Sequence, residues 1–238
     1  MLLPNTKQVL KIMEALLPQL LKILGIIWIN VILSGDNAVV IAMACRGLPD
    51  DKRRLGMILG AGVAVVLRIV FTILVAALLS TPFLKIIGGA LLLWIAVKLL
   101  SGDDEEGSVK ETDRLLHAVW TVAVADAVMS LDNVLAIAAV AQDSTFLLVM
   151  GLAISIPLIV AGAALIMMLM DRMPLLVWAG AALLGWVAGE MLISDPWLIG
   201  KLGQEFGHKA EIPSAVIGAL LVVATGYIVR RRTAGEEA

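Results

Sequence analysis

The chain has 238 residues, 61% of them hydrophobic and only 16% charged, with a mean hydropathy of +0.99. A soluble domain carries about 25% charged residues, so the composition excludes the ordinary globular class and indicates an all-α, polytopic membrane protein. The net charge of −2 says little, since charge placement matters more than its sum, and the single Cys45 cannot form an internal disulfide.

In chain order, residues 1–19 contain Pro4, Lys7, Lys11, Glu14 and Pro18 and suit an interfacial helix. Seven transmembrane helices are predicted, at 20–45, 56–79, 82–100, 116–141, 145–170, 174–193 and 213–230, because a span needs about 20 apolar residues. Ala42-Met43-Ala44-Cys45 resembles a cleavage site, but the run before it contains Asp36 and Asn37, and the chain stays apolar far beyond it. The first segment is therefore expected to be retained as a span. Pro82 and Pro174 stand at span starts, where proline is tolerated. Gly102 to Asp113, with Asp103-Asp104-Glu105-Glu106, reads as a loop. Every span reads as helix, since open sheet edges cannot exist in lipid.

Alternate loops sort the basic residues unequally. Arg46, Lys52, Arg53, Arg54, Lys110, Arg114, Arg172, Arg230, Arg231 and Arg232 fall on one side; Lys7, Lys11, Lys22, Lys85, Lys201 and Lys209 fall on the other. The richer side is expected to be cytoplasmic, which puts the N-terminus outside and the C-terminus inside.

One phrase occurs twice. Ser34-Gly35-Asp36-Asn37-Ala38-Val39-Val40-Ile41-Ala42 is echoed by Ser130-Leu131-Asp132-Asn133-Val134-Leu135-Ala136-Ile137-Ala138. The third and sixth spans also match, Gly88-Gly89-Ala90-Leu91-Leu92-Leu93-Trp94 against Gly180-Ala181-Ala182-Leu183-Leu184-Gly185-Trp186. Residues 20–100 and 116–193 are thus two three-helix repeats, with 213–230 as an extra seventh helix in a single membrane domain. Three is odd, so the copies enter the membrane from opposite faces. Such inverted repeats are frequent in secondary transporters, with the substrate near the midplane.

The duplicated polar residues form stripes. Asn30, Ser34 and Asn37 lie at i, i+4 and i+7 of one helix, and Asp126, Ser130 and Asn133 repeat the spacing in the fourth span. Asp36 and Asp132 sit about 100° round from their asparagines. Two such faces in contact offer carboxylates, amide carbonyls and hydroxyls, hard oxygen ligands for Mn²⁺, Mg²⁺ or Ca²⁺. No histidine or cysteine stands in mid-membrane, which disfavours zinc, copper and nickel, and Met129 reads as packing. The structural alternative is that these groups tie helices together, a contribution of about 0.6 kcal/mol each. An aspartate at a span centre costs about 2.5–3.5 kcal/mol on insertion scales, a poor exchange when Asn or Ser would serve, so intramembrane acids are read as functional.

Arg68 falls near the centre of the second span and requires a carboxylate partner there. It either neutralises an empty site and is released when a cation binds, or forms a fixed pair holding helices in register. Glu190 is a candidate proton or metal relay, while Lys98 can snorkel to the interface. The tryptophans read as interfacial anchors, and Gly56, Gly60 and Gly62 as close helix contacts. Gly35 is placed to loosen the helix before Asp36.

These phrases, with Ala44-Cys45-Arg46-Gly47-Leu48-Pro49 and Leu184-Gly185-Trp186-Val187-Ala188-Gly189-Glu190, resemble the TerC family of integral membrane proteins, within the lysine-exporter superfamily, and specifically its short YjbE-like bacterial members. The resemblance spans nearly the whole chain. It implies export of a divalent metal, most often manganese, across the bacterial inner membrane, with the acidic motifs at Asp36-Asn37 and Asp132-Asn133, and Asp126 before the second, as the ion path. Regulation through the large cytosolic extension found in some relatives is not expected. The expected partners are the bilayer, a divalent cation and, as coupling ion, H⁺ carried on Asp126 or Glu190; no cofactor, nucleic acid or enzymatic activity is expected. An intramembrane aspartyl protease would carry Tyr-Asp and Gly-x-Gly-Asp phrases, and Leu33-Ser34-Gly35-Asp36 and Ala125-Asp126 supply neither. A non-transporting scaffold for metal delivery or complex assembly is the remaining alternative.

Overall fold

A computed structural model describes residues 17, 19–21, 23–28, 34–74, 81–101, 111–141 and 145–236, with the side chains of 111, 131–141, 145, 147–148 and 233–236 outside that description. Its described elements are all helical: α1 (Gly35–Arg46), α2 (Asp50–Ile73), α3 (Leu84–Ser101), α4 (Glu111–Ala141), α5 (Thr145–Arg172), α6 (Leu175–Ile193), α7 (Pro196–Leu202) and α8 (Gln204–Glu236). Five stretches among the described residues are long and apolar enough to cross a membrane: Asp50–Ile73, Leu84–Ser101, Val149–Arg172, Leu175–Ile193 and Gln204–Arg232. The outward surface is itself apolar, with Leu175, Phe146, Ile87 and Ile212 exposed, as suits a surface facing lipid rather than water.

Local chemistry accounts for the helix limits. α4 runs unbroken for 31 residues without a glycine or a proline, so nothing in its sequence interrupts the backbone ladder. α2 opens after Pro49 with Asp50 and Asp51 in its first turn, where negative charge meets the positive end of the helix dipole. The intervening turn is stitched by Arg53, whose Nε donates to the Leu48 carbonyl at 3.1 Å and whose Nη2 donates to the Arg46 carbonyl at 3.1 Å.

Four predicted spans need correction: 56–79 is found as α2 at Asp50–Ile73, 116–141 already begins at Glu111, and the first and seventh differ more. The span 20–45 is helical at 23–28 and again from Gly35, but Ser34 (φ −111, ψ 8) caps the start of α1 in a non-helical conformation. The stripe from Ser34 to Asn37 is therefore a helix beginning, and Asn30 lies outside the described residues. The predicted seventh helix, 213–230, extends over Gln204–Glu236 with Pro213 inside it. Hydropathy registered only its apolar middle; the polar first turns are helical too, with Lys209 Nζ 2.7 Å from Glu205 Oε1 one turn away. The short α7 was not expected.

Packing pairs α2 with α4, α1 with α5, and α3 with α6; α2 also meets α5, α1 meets α4, and α8 lies along α6 and α3. The main core joins α1, α3, α4, α5 and α6 through residues such as Ile41, Leu92, Val122, Met170 and Leu184. Small residues permit the closest approach. A Cβ on Gly185 would lie 2.5 Å from the Gly218 carbonyl oxygen, and one on Gly189 2.6 Å from the Ser214 carbonyl carbon, so α6 and α8 touch backbone to backbone. Gly56 and Gly60 likewise face Leu48 and Val122, but a Cβ on Gly62 would meet nothing within 4 Å. Among the described residues the expected close contact at Gly62 is thus not made.

The loops that the charge pattern assigns to one side do meet. Asp171 lies 3.5 Å from Arg46 Nε and 3.5 Å from Arg53 Nη1 at one end of the bundle. At the other end the fully buried Asp195 caps two helices at once. It accepts from Trp197 N at 2.9 Å within α7, and across the chain from the backbone N–H groups of Phe83 (3.2 Å), Lys85 (3.2 Å) and Ile86 (3.4 Å) at the start of α3. Phe83 holds a left-handed φ of 65 there, with its ring 4.8 Å from Trp197.

Candidate functional site

Two helices in contact, α1 and α4, carry the duplicated phrase, and α2 inserts a cation between its copies. The Arg68 side chain is 2% exposed and Asp126 3%. Arg68 Nη2 donates to Asp126 Oδ1 at 2.7 Å, Nη1 donates to Ser34 Oγ at 2.8 Å, and Nε donates to Ser130 Oγ at 3.2 Å. Ser130 Oγ in turn donates to Asp126 Oδ2 at 3.1 Å. One guanidinium therefore bonds the leading serine of both copies and the acid that precedes the second. A planar fork of five donors suits such a three-way junction in a way that an ammonium does not.

Asp36 is part-buried in the first turn of α1, where its Oδ1 accepts from Asn37 N at 2.8 Å. It lies within electrostatic reach of both Arg68 and Asp126. Next to it, Asn37 is 4% exposed, and among the described residues neither Nδ2 nor Oδ1 of its carboxamide has a hydrogen-bond partner. A buried amide left without a partner costs about 1–3 kcal/mol, so this group calls for a ligand or for a partner outside the described atoms.

Sequence reasoning placed Ser34, Asp36, Asn37, Arg68, Asp126 and Ser130 in one neighbourhood, and they are found together. The partner that Arg68 requires is Asp126. Asp132 and Asn133 follow two and three residues after Ser130 in α4, but their side chains lie outside the described residues. Glu190 is held elsewhere: its Oε1 accepts from Trp186 Nε1 at 2.6 Å, and among the described residues no hydrogen bond or ion pair links it to the Arg68 cluster. Also among the described residues, no three His, Cys, Asp or Glu side chains converge as a ready metal cage. Gly35 is the first residue of α1, and among the described residues a Cβ there would meet nothing within 4 Å.

Asp195 escaped notice because a lone aspartate before a proline reads as a loop residue. The Asp195-Pro196 pair was the available signal, an N-cap followed by proline at the first helical position.

A bundle of apolar helices with a buried, charged junction between them defines a polytopic membrane protein with a polar centre. The profile of the integral membrane protein TerC family matches residues 16–234, and the chain belongs to that family. It is similar to the membrane protein YjbE of Bacillus subtilis strain 168, at 38% identity over 87% of this chain and 95% of YjbE. Two further membrane proteins of that organism are also similar. YceF is 26% identical over 81% of this chain and 74% of its own length; YkoY is 26% identical over 72% and 59%. No solved structure matches the chain.

Proposed function

We propose that this protein is a secondary transporter that exports a divalent metal cation, Mn²⁺ foremost, from the bacterial cytoplasm by alternating access. The observation that carries the reading is the junction itself: Arg68 holds both copies of the duplicated phrase together, beside a buried Asn37 carboxamide with no partner among the described residues. Arg68 acts as a tethered cation that neutralises Asp126 in the resting site. A metal entering between α1 and α4 meets the oxygens of Asp36, Asn37, Asp126, Asp132 and Asn133, displaces the guanidinium, and leaves on the far side as the helices rock. Hard carboxylate and carbonyl oxygens suit Mn²⁺.

The packing supports two inverted repeats, residues 20–100 and 116–193, followed by the helix around 213–230. Exchanging the first, second and third spans with the fourth, fifth and sixth turns the α2–α4 contact into the α1–α5 contact, and maps α1–α4, α2–α5 and α3–α6 onto themselves. The positive-inside rule supports an inner-membrane orientation with the N-terminus outside and the arginine-rich end cytoplasmic. Protons returning on Asp126 or Glu190 drive the cycle; Mn²⁺ flux that ignores an imposed pH gradient would remove that coupling.

The test is Mn²⁺ flux into proteoliposomes, with Mg²⁺, Ca²⁺ and Zn²⁺ as competitors, for the parent protein and for Asp36→Asn and Asp132→Asn. Both variants are expected to lose transport while retaining the folded state. One observation favours a second reading, a membrane scaffold: the Arg68–Asp126 pair is fully bonded and closed, as a helix tie would be. Undiminished metal efflux from cells expressing Asp36→Ala with Asp132→Ala selects the scaffold.

A further inference from the structure

At the arginine-rich end, the last turns of α1, α3, α5 and α8 and the beginnings of α2 and α4 converge around a cavity of about 460 Å³. Among the described residues its charged lining is Arg46, Arg53, Lys98 and Arg230 against the single carboxylate of Asp171, with His117 beside Lys98. This lining does not suit a metal. Both Asp171 oxygens already face arginines, Oδ1 towards Arg46 and Oδ2 towards Arg53. The Lys98 ammonium donates to His117 Nε2 at 2.9 Å, which occupies the ring nitrogen a cation would need. Arg53 is spent on backbone carbonyls and Asp50. Lys98 and Arg230 differ. Each is seated over an aromatic face, Lys98 over Trp94 at 5.4 Å and Arg230 over Trp178 at 5.9 Å, which fixes the cation while leaving its N–H groups able to donate.

We infer that this cavity is an anion site that takes a phosphate group, gripped by Lys98 and Arg230 and seated on the Arg46–Arg53 floor. Several cations around a concave, partly apolar lining focus potential on an anion, and charge-assisted bonds to phosphate are the strong ones. The phosphate belongs either to a soluble phosphate compound or to an anionic lipid headgroup, because Trp94 is exposed on the lipid-facing surface beside Lys98. The site stands on its lining alone and does not depend on cation export.

The test uses the full chain in detergent, titrated calorimetrically with inorganic pyrophosphate at matched ionic strength. A parallel arm uses nanodiscs of phosphatidylcholine with or without phosphatidylglycerol and measures lipid retained on re-extraction. Binding in either arm is expected, and the responding arm identifies the source. Lys98→Gln with Arg230→Gln removes two charged contacts and weakens binding about a hundredfold, roughly tenfold for each contact. Arg231→Gln, outside the lining, leaves it unchanged. Circular dichroism checks the fold of each variant, and Arg230→Gln alone serves if the double variant is unstable. Absence of binding in both arms overturns the inference, as it must if the acidic residues Asp103 to Glu106 of this chain satisfy the cavity instead. So does an equal loss in Arg231→Gln, which marks a diffuse charge effect. Binding is read without a gradient, so Asp36→Asn protein that binds pyrophosphate but moves no metal separates this site from the transport centre.

Discussion

Replacing Arg68 with glutamine leaves Asp126, 3% exposed, with Ser130 as its remaining bonded partner in the junction. Removing one member of a buried pair costs about 3–5 kcal/mol, because the other charge stays desolvated. Against a whole-domain stability of about 5–15 kcal/mol, that loss is large. The cost should disappear in company: Arg68→Met with Asp126→Leu substitutes apolar groups for the pair, a change that is often neutral or stabilising by about 1–4 kcal/mol. Chemical unfolding in detergent of the parent, Arg68→Met, Asp126→Leu and the double variant measures the coupling, expected to exceed about 3 kcal/mol. A single-variant loss below about 1 kcal/mol, or losses that simply add, would refute the account of a tight buried pair. Metal binding by the Arg68→Gln protein separates tether from strut. If Arg68 is a resident cation competing with the metal, Arg68→Gln binds Mn²⁺ more tightly than the parent; if it only braces the helices, binding weakens or is lost.

Asn37→Leu should leave stability unchanged or raise it by about 1–3 kcal/mol, since it removes a buried amide that has no partner among the described residues, while Mn²⁺ binding is lost. Marked destabilisation in a melting experiment would mean that the carboxamide has a structural partner. Asp195→Ala strips an acceptor from four backbone N–H groups at two helix starts. At about 1–2 kcal/mol per cap the loss is about 2–4 kcal/mol, with Asp195→Asn losing less because one oxygen remains. Equal stability of the alanine variant and the parent would show that the double cap contributes nothing. Gly189→Val drives a side chain into the α8 backbone at Ser214 and Ala215 and should cost about 1–3 kcal/mol or more. Gly62→Ala, whose added methyl meets nothing within 4 Å among the described residues, should be neutral in the same assay.

Class and site neighbourhood were legible because membrane chemistry is severe. Lipid penalises an unpaired charge so strongly that Arg68 required an acid, and the duplicated phrase narrowed the choice to a few aspartates. Hydropathy was equally direct for α3, α5 and α6, whose predicted limits differ from the observed ones by no more than two residues. It failed where helix continues through polar residues, as at the start of α8, since helical hydrogen bonding does not require an apolar surface.

By itself, then, the sequence determined that this is an all-helical membrane protein of the TerC family with a duplicated acidic phrase, because burial in lipid constrains composition residue by residue. Tertiary structure alone decided that Asp126, rather than Asp36, takes the short Arg68 bond, that both serines share that guanidinium, and that Asp195 caps a helix more than a hundred positions away in the chain. Partner choice of that kind depends on which side chains a rotation and offset of packed helices bring within about 3 Å. Neither periodicity nor composition encodes that offset; the fit of glycine, valine and methionine at the crossings sets it.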